Sequence, residues 1–304
     1  MELNLQKPAW ITTKAPGGEN CIKMEKLLER HGLATVCKEA SCPNRGECWG
    51  MGTATFMILG DICTRKCRFC GVRSAQNGLV VRKEEAAELA LAINELGLNY
   101  AVLTSVDRDD LVYRGADHFA LCIAAIKKKN PSCKVEVLIP DYHGDELQLV
   151  MDAGPDLIAH NVETVRSLQE TIRDSNASFD KSLRTLKETK QYSRNIKTKS
   201  SLLLGLGETE KEVFSAMDEL LSVWVDILVM GQYLQPSKQQ IPVKEYICPE
   251  KFKLLGEKAL AKGFGYVVSS PLARTSYHAR AAHHSLGLPD GGVIIKFSPS
   301  GSIT

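Results

Sequence analysis

The sequence predicts an α/β fold in which six β/α units form an open, partial (β/α)6 barrel of the TIM-like kind. From residue 55 onward, short apolar runs alternate with amphipathic helical stretches. This regular succession of strand and helix is typical of a parallel sheet with right-handed crossovers. Six units are too few for a closed eight-stranded barrel, and they therefore indicate an open one.

Each of the first six predicted strands is followed by a predicted helix. The first strand, TFMILG at residues 55–60, leads directly into a cysteine-rich loop, and the helix after that loop stops at Gly97. The later strands are predicted in YAVLTSV, KVEVLIP, DLIAHNVE, KSSLLLGLGET, VDILVMGQYL and, as a last short one, GYVVSSP. The helices are predicted in KEEAAELALAINELG, ADHFALCIAAIKKK, DELQLVMDAG, residues 181–190, EKEVFSAMDELLS and PEKFKLLGEKALAKG. The strands end in polar residues or glycine, and functional groups gather at that end of such barrels.

The chain divides into three regions by this pattern. Residues 1–54 contain several prolines and few periodic stretches, which indicates an N-terminal extension that wraps the barrel and carries cysteines. Residues 55–270 are expected to form the barrel itself. Residues 271–304 are expected to form an irregular C-terminal tail.

Composition and charge exclude several classes of function. The 304 residues carry a formal net charge of +2, without the basic stripe and interleaved aromatic residues that bind nucleic acid. No apolar stretch is long enough to cross a bilayer. The segment MELNLQKPAW has neither the layout of a secretory signal nor that of a transit peptide. We therefore expect a cytoplasmic protein without a nucleic-acid or membrane partner.

Six of the ten cysteines are clustered in two groups of three. Disulfide bonds suit small secreted domains rather than a chain with its own large core. Zinc is a stronger alternative, since Cys67-x-x-Cys70 is half of a common zinc site, but no second half stands nearby. The upstream trio, spaced C-x4-C-x5-C, consists of Cys37, Cys42 and Cys48. The downstream trio, spaced C-x3-C-x2-C, consists of Cys63, Cys67 and Cys70.

The downstream trio follows the first predicted strand directly. Three sulfurs on one concave turn can hold three irons of a four-iron cubane and leave the fourth iron open. With Phe69 before its last cysteine, DICTRKCRFC resembles the signature of the radical S-adenosylmethionine (SAM) superfamily. The resemblance implies a barrel of the radical SAM type and a 4Fe–4S cluster whose open iron binds SAM. It also implies cleavage of SAM to a 5′-deoxyadenosyl radical.

Further motifs narrow the resemblance to one family. From about Lys7 to Ala279 the chain resembles the lipoyl synthases, in both trios and in several segments that are specific in combination. These segments are CPNRGECW, GDICTRKCRFCGV, TSVDRDDL, GADHF, HNVETV, LLLGLGET, DILVMGQYLQPS and RTSYHA.

The resemblance implies a second, auxiliary 4Fe–4S cluster on the upstream trio. In the family its fourth ligand is the serine directly before the tyrosine of an Arg-Ser-Ser-Tyr motif. The motif here reads Arg274-Thr275-Ser276-Tyr277, so the implied ligand is Ser276, and Thr275 is a departure from the family pattern. TKSS at residues 198–201 is a second departure, with serine where the family more often has glycine.

The implied reaction is sulfur insertion at C6 and C8 of an octanoyl chain on a lysine of a carrier domain. Deoxyadenosyl radicals activate the two carbons in turn, and the auxiliary cluster supplies the sulfur. The implied carriers are the lipoyl domains of 2-oxo acid dehydrogenase E2 components and the glycine cleavage H protein. An electron donor such as ferredoxin or flavodoxin is implied as well.

Polar residues at the strand ends are candidates for contacts with SAM. We expect Thr104 and Ser105 to bind the methionine amino group, and Asn161, Glu163 and Gln232 to meet the ribose or carboxylate.

Three other segments have expected roles at the same end of the barrel. GLGE at residues 205–208 would let the backbone approach adenine closely. Arg274 would anchor the serine segment or the substrate carbonyl. The charged residues 107–110 would form a salt-bridge network that shapes the mouth.

Two alternatives stay open on the sequence. A related radical SAM sulfur enzyme, such as a biotin synthase or a methylthiotransferase, shares the downstream trio but not the upstream spacing or RTSY. A zinc-binding module is the alternative outside the enzymes, and metal analysis separates it from a protein with two cubanes.

Overall fold

The structure is a computed structural model that describes residues 6–13, 15–51, 53–277 and 279. The strands of this part of the chain are β1 (Ala34–Thr35), β2 (Thr55–Ile58), β3 (Ile62–Cys63), β4 (Arg73–Ser74), β5 (Tyr100–Ser105), β6 (Lys134–Leu138), β7 (Leu157–Ala159), β8 (Lys197–Leu204), β9 (Ile227–Gln232) and β10 (Tyr266–Ser269). The helices are α1 (Glu19–His31), α2 (Val36–Glu39), α3 (Arg45–Gly50), α4 (Glu85–Glu95), α5 (Ala116–Lys129), α6 (Asp145–Asp152), α7 (Gln169–Ile172), α8 (Phe179–Tyr192), α9 (Glu210–Ser222) and α10 (Pro249–Lys262).

Most of these strands belong to one sheet. Within the described residues its eight strands follow the order β1-β2-β5-β6-β7-β8-β9-β10. The pairings from β2 to β10 are parallel, whereas β1 runs antiparallel to β2. A helix separates each pair of consecutive parallel strands. The predicted succession of six β/α units is confirmed, and the last short strand expected in GYVVSSP is β10.

The longer helices begin and end where the sequence supplies capping groups. Thr209 and Glu212 form a capping box at the start of α9, in which each side chain bonds the backbone N–H of the other residue. Pro249 opens α10, and Gly263 follows its end in the left-handed conformation. Because each of these helices begins near the C-terminal end of a strand, its cap also fixes a loop at the mouth of the barrel.

The apolar core lies between the sheet and the surrounding helices. Strands β2, β9 and β10 are buried along their whole length, as is typical of parallel strands covered on both faces. Outside the sheet, Phe119 of α5 is fully buried and meets Tyr142 edge to face, with ring centroids 6.1 Å apart. The helices thereby hold the strands in register around the inner cavity.

The N-terminal extension is more regular than the sequence suggested, and the expectation of few periodic stretches was wrong. Helix α1 buries Cys21, Met24, Leu28 and His31, which recur at helical spacing. The usual start signal is missing, because Gly18 precedes the helix and offers no capping side chain. The extension then adds β1 to the edge of the sheet beside β2.

The predicted C-terminal tail enters the description only through residues 271–277 and 279, and the rest of it lies outside the described residues. No helix in the described ranges combines the length and the apolar character that a membrane span requires.

Replacing Phe119 by alanine is expected to lower the free energy of unfolding by about 3–5 kcal/mol, because it leaves a cavity between α5 and the sheet. Urea unfolding of the metal-free protein measures the effect. Leu121 of the same helix is 61% exposed, and Leu121→Ala is the matched control, with an expected change within about 0.5 kcal/mol. Equal losses in the two variants would contradict this placement of α5.

Candidate functional site

One cavity runs through the barrel interior and receives both cysteine trios. Its volume is about 1080 Å³. The predicted site residues that line it are Cys37, Cys42, Cys48, Cys63, Cys67, Phe69, Cys70, Thr104, Ser105, Asn161, Glu163, Arg274 and Ser276. The folded chain therefore brings together residues that are separated by more than two hundred positions in the sequence.

The downstream trio lies in the loop that leaves the C-terminal end of β2. The backbone N–H of Arg65 donates to Cys63 Sγ at 3.4 Å, and that of Asp174 donates to Cys67 Sγ at 3.3 Å. Burial raises the pKa of Cys63 and Cys67 to about 12 and that of Cys70 to about 11. Repulsion from Cys70 adds to the shift at the other two thiols, which shows that the trio shares one small volume.

A buried arginine ties this loop to the neighbouring strand ends. The Arg65 guanidinium lies 2.8 Å from both Asp109 and Asp141 and 3.3 Å from Asp107. Burial alone would raise the pKa of Asp141, but the charge and hydrogen bond of Arg65 outweigh it and lower that pKa to about 2. Arg108 is part of the expected mouth network as well, since its guanidinium contacts the carboxylate of Asp110 at 2.8 Å.

The upstream trio lies at the other end of β2. Burial raises the pKa of Cys37 to about 11 and that of Cys48 to about 12. Repulsion from Cys42 adds to both shifts, and repulsion from Cys37 adds to that of Cys48. A backbone hydrogen bond at Thr55, the first residue of β2, opposes the shift at Cys37. The buried Trp49 indole N–H also lowers the Cys37 pKa, although it is not aligned as a hydrogen bond to any described atom.

Strand β2 lies between the chain segments that carry the two trios. The upstream trio adjoins Thr55, and the downstream loop begins after Ile58. A strand of four residues spans roughly 10 Å at about 3.3 Å per residue. Because both trios line the same cavity, one molecule in it would meet both.

The segment that follows β10 brings Ser276 beside the upstream trio. Asn44 donates to the Leu272 carbonyl at 2.7 Å, and Tyr277 donates to Glu47 at 2.8 Å, so α3 and its preceding loop hold the segment at two points. At Gly231 of β9 a side chain would collide with the Ala273 carbonyl oxygen. The absence of a side chain there lets the segment pass close to the strand.

Arg274 lines the cavity, and its expected role as an anchor of the serine segment or of the substrate carbonyl stays a prediction. Its guanidinium donates to the Ala273 carbonyl at 2.6 Å, within the serine segment itself. Burial lowers the pKa of Arg274, and the nearby Cys42 and Glu163 oppose that shift. The cation therefore lies between the upstream trio and the acidic side of the cavity.

The polar side chains at the strand ends that line the cavity differ in whether they already have a hydrogen-bond partner within the protein. Thr104 donates to the Leu138 carbonyl at 3.1 Å, whereas Ser105 Oγ is buried without a partner among the described atoms. Asn161 donates to Glu163 and to the Thr275 hydroxyl, both at 2.9 Å. Glu163 has a φ of 64°, a conformation that ordinary residues rarely adopt.

Gln232 lies away from the cavity, and the structure does not place it where contact with SAM was expected. Its side chain is fully buried, and its amide donates to the carbonyls of Leu204, Tyr233 and Glu245 at 2.9–3.1 Å. Its carbonyl oxygen accepts from Ile247 N at 2.9 Å. The residue is thus fully used in joining β9 to the segment before α10.

The GLGE segment is also turned away from the cavity. The backbone N–H groups of Gly205 and Leu206 donate to Glu208 at 2.5 and 2.9 Å, so the loop closes on its own carboxylate. A side chain at Gly205 would collide with Gln232 and with the Glu245 carbonyl. The glycine permits close packing of protein against protein there, rather than an approach to adenine.

Arg173 is a cavity residue that sequence reasoning missed. It lines the cavity, its Nη1 donates to Ser182 at 2.9 Å, and its Nε is buried without a partner in the described part of the chain. It follows α7, well beyond the end of β7, so the rule that points to strand ends does not reach it. The sequence feature that could have pointed to Arg173 is its place within a short run of polar residues after the predicted strand.

All ten cysteines lie in the described ranges, and each is a free thiol. Across those ranges, no three His, Cys, Asp or Glu side chains lie close enough together to hold a single metal ion. A cubane places each thiolate on a different iron, so its ligands need not surround one ion.

Comparison with known proteins defines the class of protein. The family model of the radical SAM superfamily matches residues 57–220. Among solved structures, the chain is similar to the FeFe-hydrogenase maturase HydG from Carboxydothermus hydrogenoformans, with a TM-score of 0.58 and 15% identity, covering 79% of this chain and 57% of that chain. It is also similar to methylornithine synthase (PylB), with a TM-score of 0.56 and 14% identity, covering 70% of this chain and 63% of that chain. The fold is therefore that of the radical SAM enzymes.

Curated relatives define the family within that class. The lipoyl synthase of Halorhodospira halophila is 45% identical and covers 94% of this chain and 87% of its own length. That of Sulfolobus acidocaldarius is 49% identical, covering 87% and 92%, and the mitochondrial lipoyl synthase of Rattus norvegicus is 48% identical, covering 90% and 76%. The chain belongs to the lipoyl synthase family, a family of sulfur-inserting radical SAM enzymes.

Membership of the superfamily implies a 4Fe–4S cluster and SAM, and the residues around the downstream trio fit both. Three buried thiols are the soft ligands that iron–sulfur clusters prefer. When such a thiol binds iron as a thiolate, the positive charge of the iron offsets the free-energy cost of burying the negative charge. The unpartnered Ser105 Oγ and Arg173 Nε fit a polar ligand in the cavity, because buried polar atoms normally have partners.

Replacing Arg65 by methionine is expected to lower the free energy of unfolding by about 3 kcal/mol, because it removes the guanidinium that pairs with the buried Asp141 and the partly buried Asp107 and Asp109. Urea unfolding of the metal-free protein measures this loss. Arg73→Met is the matched control in the same loop. Arg73 is exposed, and its ion pair among the described residues is with Asp61, so little change is expected there. A similar loss in both variants would show that the buried network does not hold the loop.

Proposed function

We propose that this protein inserts two sulfur atoms, at C6 and C8, into an octanoyl chain carried on a lysine of a carrier domain, and so forms lipoyl-lysine. The observation that carries the proposal is that the two cysteine trios face one cavity from the opposite ends of β2. Family membership supports the same reaction, because the curated relatives are named lipoyl synthases.

The downstream trio is proposed to hold the SAM-binding cluster. When bound, this cluster and SAM supply the radical, and an auxiliary cluster supplies the sulfur. Backbone N–H groups at Arg65 and Asp174 direct partial positive charge at the thiolates and stabilise them. The residues proposed to orient SAM are Phe69, Thr104, Ser105, Asn161 and Glu163, all of which line the cavity.

Cys37, Cys42, Cys48 and Ser276 are proposed to hold the auxiliary cluster. The placement of Ser276 between Arg274 and Tyr277, which both lie near this trio, supports its role as the fourth ligand. Serine oxygen is a harder donor than thiolate and suits iron–sulfur clusters less well. A cluster that must give up sulfide would be released more readily from such a ligand.

The middle of the cavity suits an alkyl chain. Met57, Val102, Leu138 and Val229 line it between the two trios. These side chains would hold the octanoyl chain by apolar contact and exclude water from the carbon radicals. Confinement also keeps each reacting carbon near its sulfur source, since orientation contributes much of such rate enhancements.

The macromolecular partners are part of the same proposal. The carriers are octanoylated domains of 2-oxo acid dehydrogenase E2 components or the glycine cleavage H protein, and electrons come from a donor such as ferredoxin or flavodoxin. The cytoplasmic location expected from the sequence stays a prediction, because the curated relatives include proteins named as mitochondrial.

The test is mass spectrometry of an octanoyl-lysine peptide incubated anaerobically with the reconstituted protein, SAM and dithionite. Wild type is expected to give the lipoyl peptide and 5′-deoxyadenosine. Cys37→Ala is expected to keep 5′-deoxyadenosine formation and lose the lipoyl peptide, with iron falling from about eight to about four atoms per chain. Cys63→Ala is expected to lose both products.

Cys133→Ala is the matched control, because Cys133 is buried in the core and does not line the cavity. It is expected to behave as wild type. A lipoyl product from Cys37→Ala at the wild-type rate would overturn the division between the two trios. One zinc per chain without iron or sulfide in the wild type would overturn the proposed function itself.

A further inference from the structure

The barrel interior contains a buried ion pair to which the sequence drew no attention. Lys199 of β8 and Glu136 of β6 have side chains that are 1% and 0% exposed, and Lys199 Nζ lies 2.7 and 2.8 Å from the two carboxylate oxygens. Tyr100 donates to the same carboxylate at 2.6 Å. Burial of two charges costs more than their attraction usually returns, so apolar residues would serve stability alone at least as well.

The lysine has a third contact that leaves the pair. Its Nζ donates to the backbone carbonyl of Thr275 at 3.3 Å. The hydroxyl of Thr275 is held as well, by Asn161 Nδ2 at 2.9 Å and Ser201 Oγ at 3.1 Å.

Fixing Thr275 also fixes its neighbour. The Thr275 carbonyl belongs to the same planar peptide unit as the nitrogen of Ser276, so a bond to that oxygen constrains where Ser276 begins. On its other side, Tyr277 bonds Glu47 next to the upstream trio. Ser276 therefore lies between one anchor in the barrel wall and one anchor in the extension.

We propose that Lys199 is a positioning residue that holds the Thr275 carbonyl and thereby presents Ser276 to the upstream trio. The proposal rests on the function proposed above and names a residue that serves it without touching substrate or cluster. Glu136, itself held by Tyr100, accepts two of the ammonium hydrogen bonds, and the third goes to the Thr275 carbonyl. A charged donor in a dry interior makes a stronger bond to a carbonyl than a neutral donor does.

The chain offers a matched control for this lysine. Lys190 of α8 is also buried, lies 2.6 Å from Asp226, and donates to the Ile196 carbonyl at 2.7 Å. It therefore makes the same two kinds of contact, but among the described residues its ammonium bonds Asp226 and Ile196 and not the segment 271–277. Lys190→Met removes an ion pair and a carbonyl contact of the same kinds without releasing Ser276.

The test is backbone hydrogen exchange of the metal-free full-length chain, followed on peptides that cover residues 271–277. In the wild type the Tyr277 N–H donates to the Arg274 carbonyl at 2.9 Å, which protects it from exchange. Lys199→Met is expected to speed exchange of this segment about tenfold, as a lost bond to a charged donor implies. A Lys199→Met/Glu136→Leu double variant removes the stranded carboxylate and is expected to show the same local effect with a more stable fold.

Exchange of this segment at the wild-type rate in both Lys199 variants would overturn the proposal, and so would equal acceleration in Lys190→Met. A second readout uses the reconstituted chain and a chelator such as EDTA. In the Lys199 variants about half of the iron, that of the proposed auxiliary cluster, is expected to be removed faster than in the wild type. In Lys190→Met the rate of iron loss is expected to match that of the wild type. Equal rates of iron loss in all variants would also count against the proposal.

These results are distinguishable from failure of the proposed function. If the reconstituted wild type bound only about four iron atoms per chain, the proposed sulfur insertion from an auxiliary cluster would be contradicted. The exchange measurement needs no cluster and would still decide whether Lys199 holds the serine segment.

Discussion

The rest of the site depends on one short strand, Thr55–Ile58, which holds the two cysteine trios at its opposite ends. The strand pairs with β1 on one side and β5 on the other, so its position is fixed by hydrogen bonds from the extension and from the barrel. A span of roughly 10 Å follows from its length. Under the proposed function, one chain in the cavity would meet both the radical source and the sulfur source.

The two ends of that strand are built differently. Backbone N–H groups and a buried arginine network hold the downstream loop, which suits a cluster that must persist through many turnovers. The upstream trio lies beside the segment 271–277. Gly231 has no side chain to obstruct this segment, and Lys199 bonds its Thr275 carbonyl. A site assembled from the extension, the barrel wall and the tail is one from which a ligand can move. That difference fits the proposal that the upstream trio holds a cluster that gives up its sulfide.

The alternation of strands and helices was predictable from the sequence, because buried parallel strands and amphipathic helices have distinct patterns. The downstream trio was predictable as well, since its spacing and its place after a strand are local features. Helix α1 was missed because Gly18 supplies no cap. Gln232 was misplaced because the strand-end rule does not say which face a side chain takes. The contact of Lys199 with Thr275 joins residues 76 positions apart, and no local pattern encodes it.

The most direct test of the account is to reconstitute the auxiliary cluster with isotopically labelled sulfide and follow the label during a single turnover with an octanoyl-lysine peptide. The account predicts that both sulfur atoms of the product carry the label and that the protein loses auxiliary sulfide in step. A product whose sulfur atoms are unlabelled, formed while the labelled cluster stays intact, would contradict it.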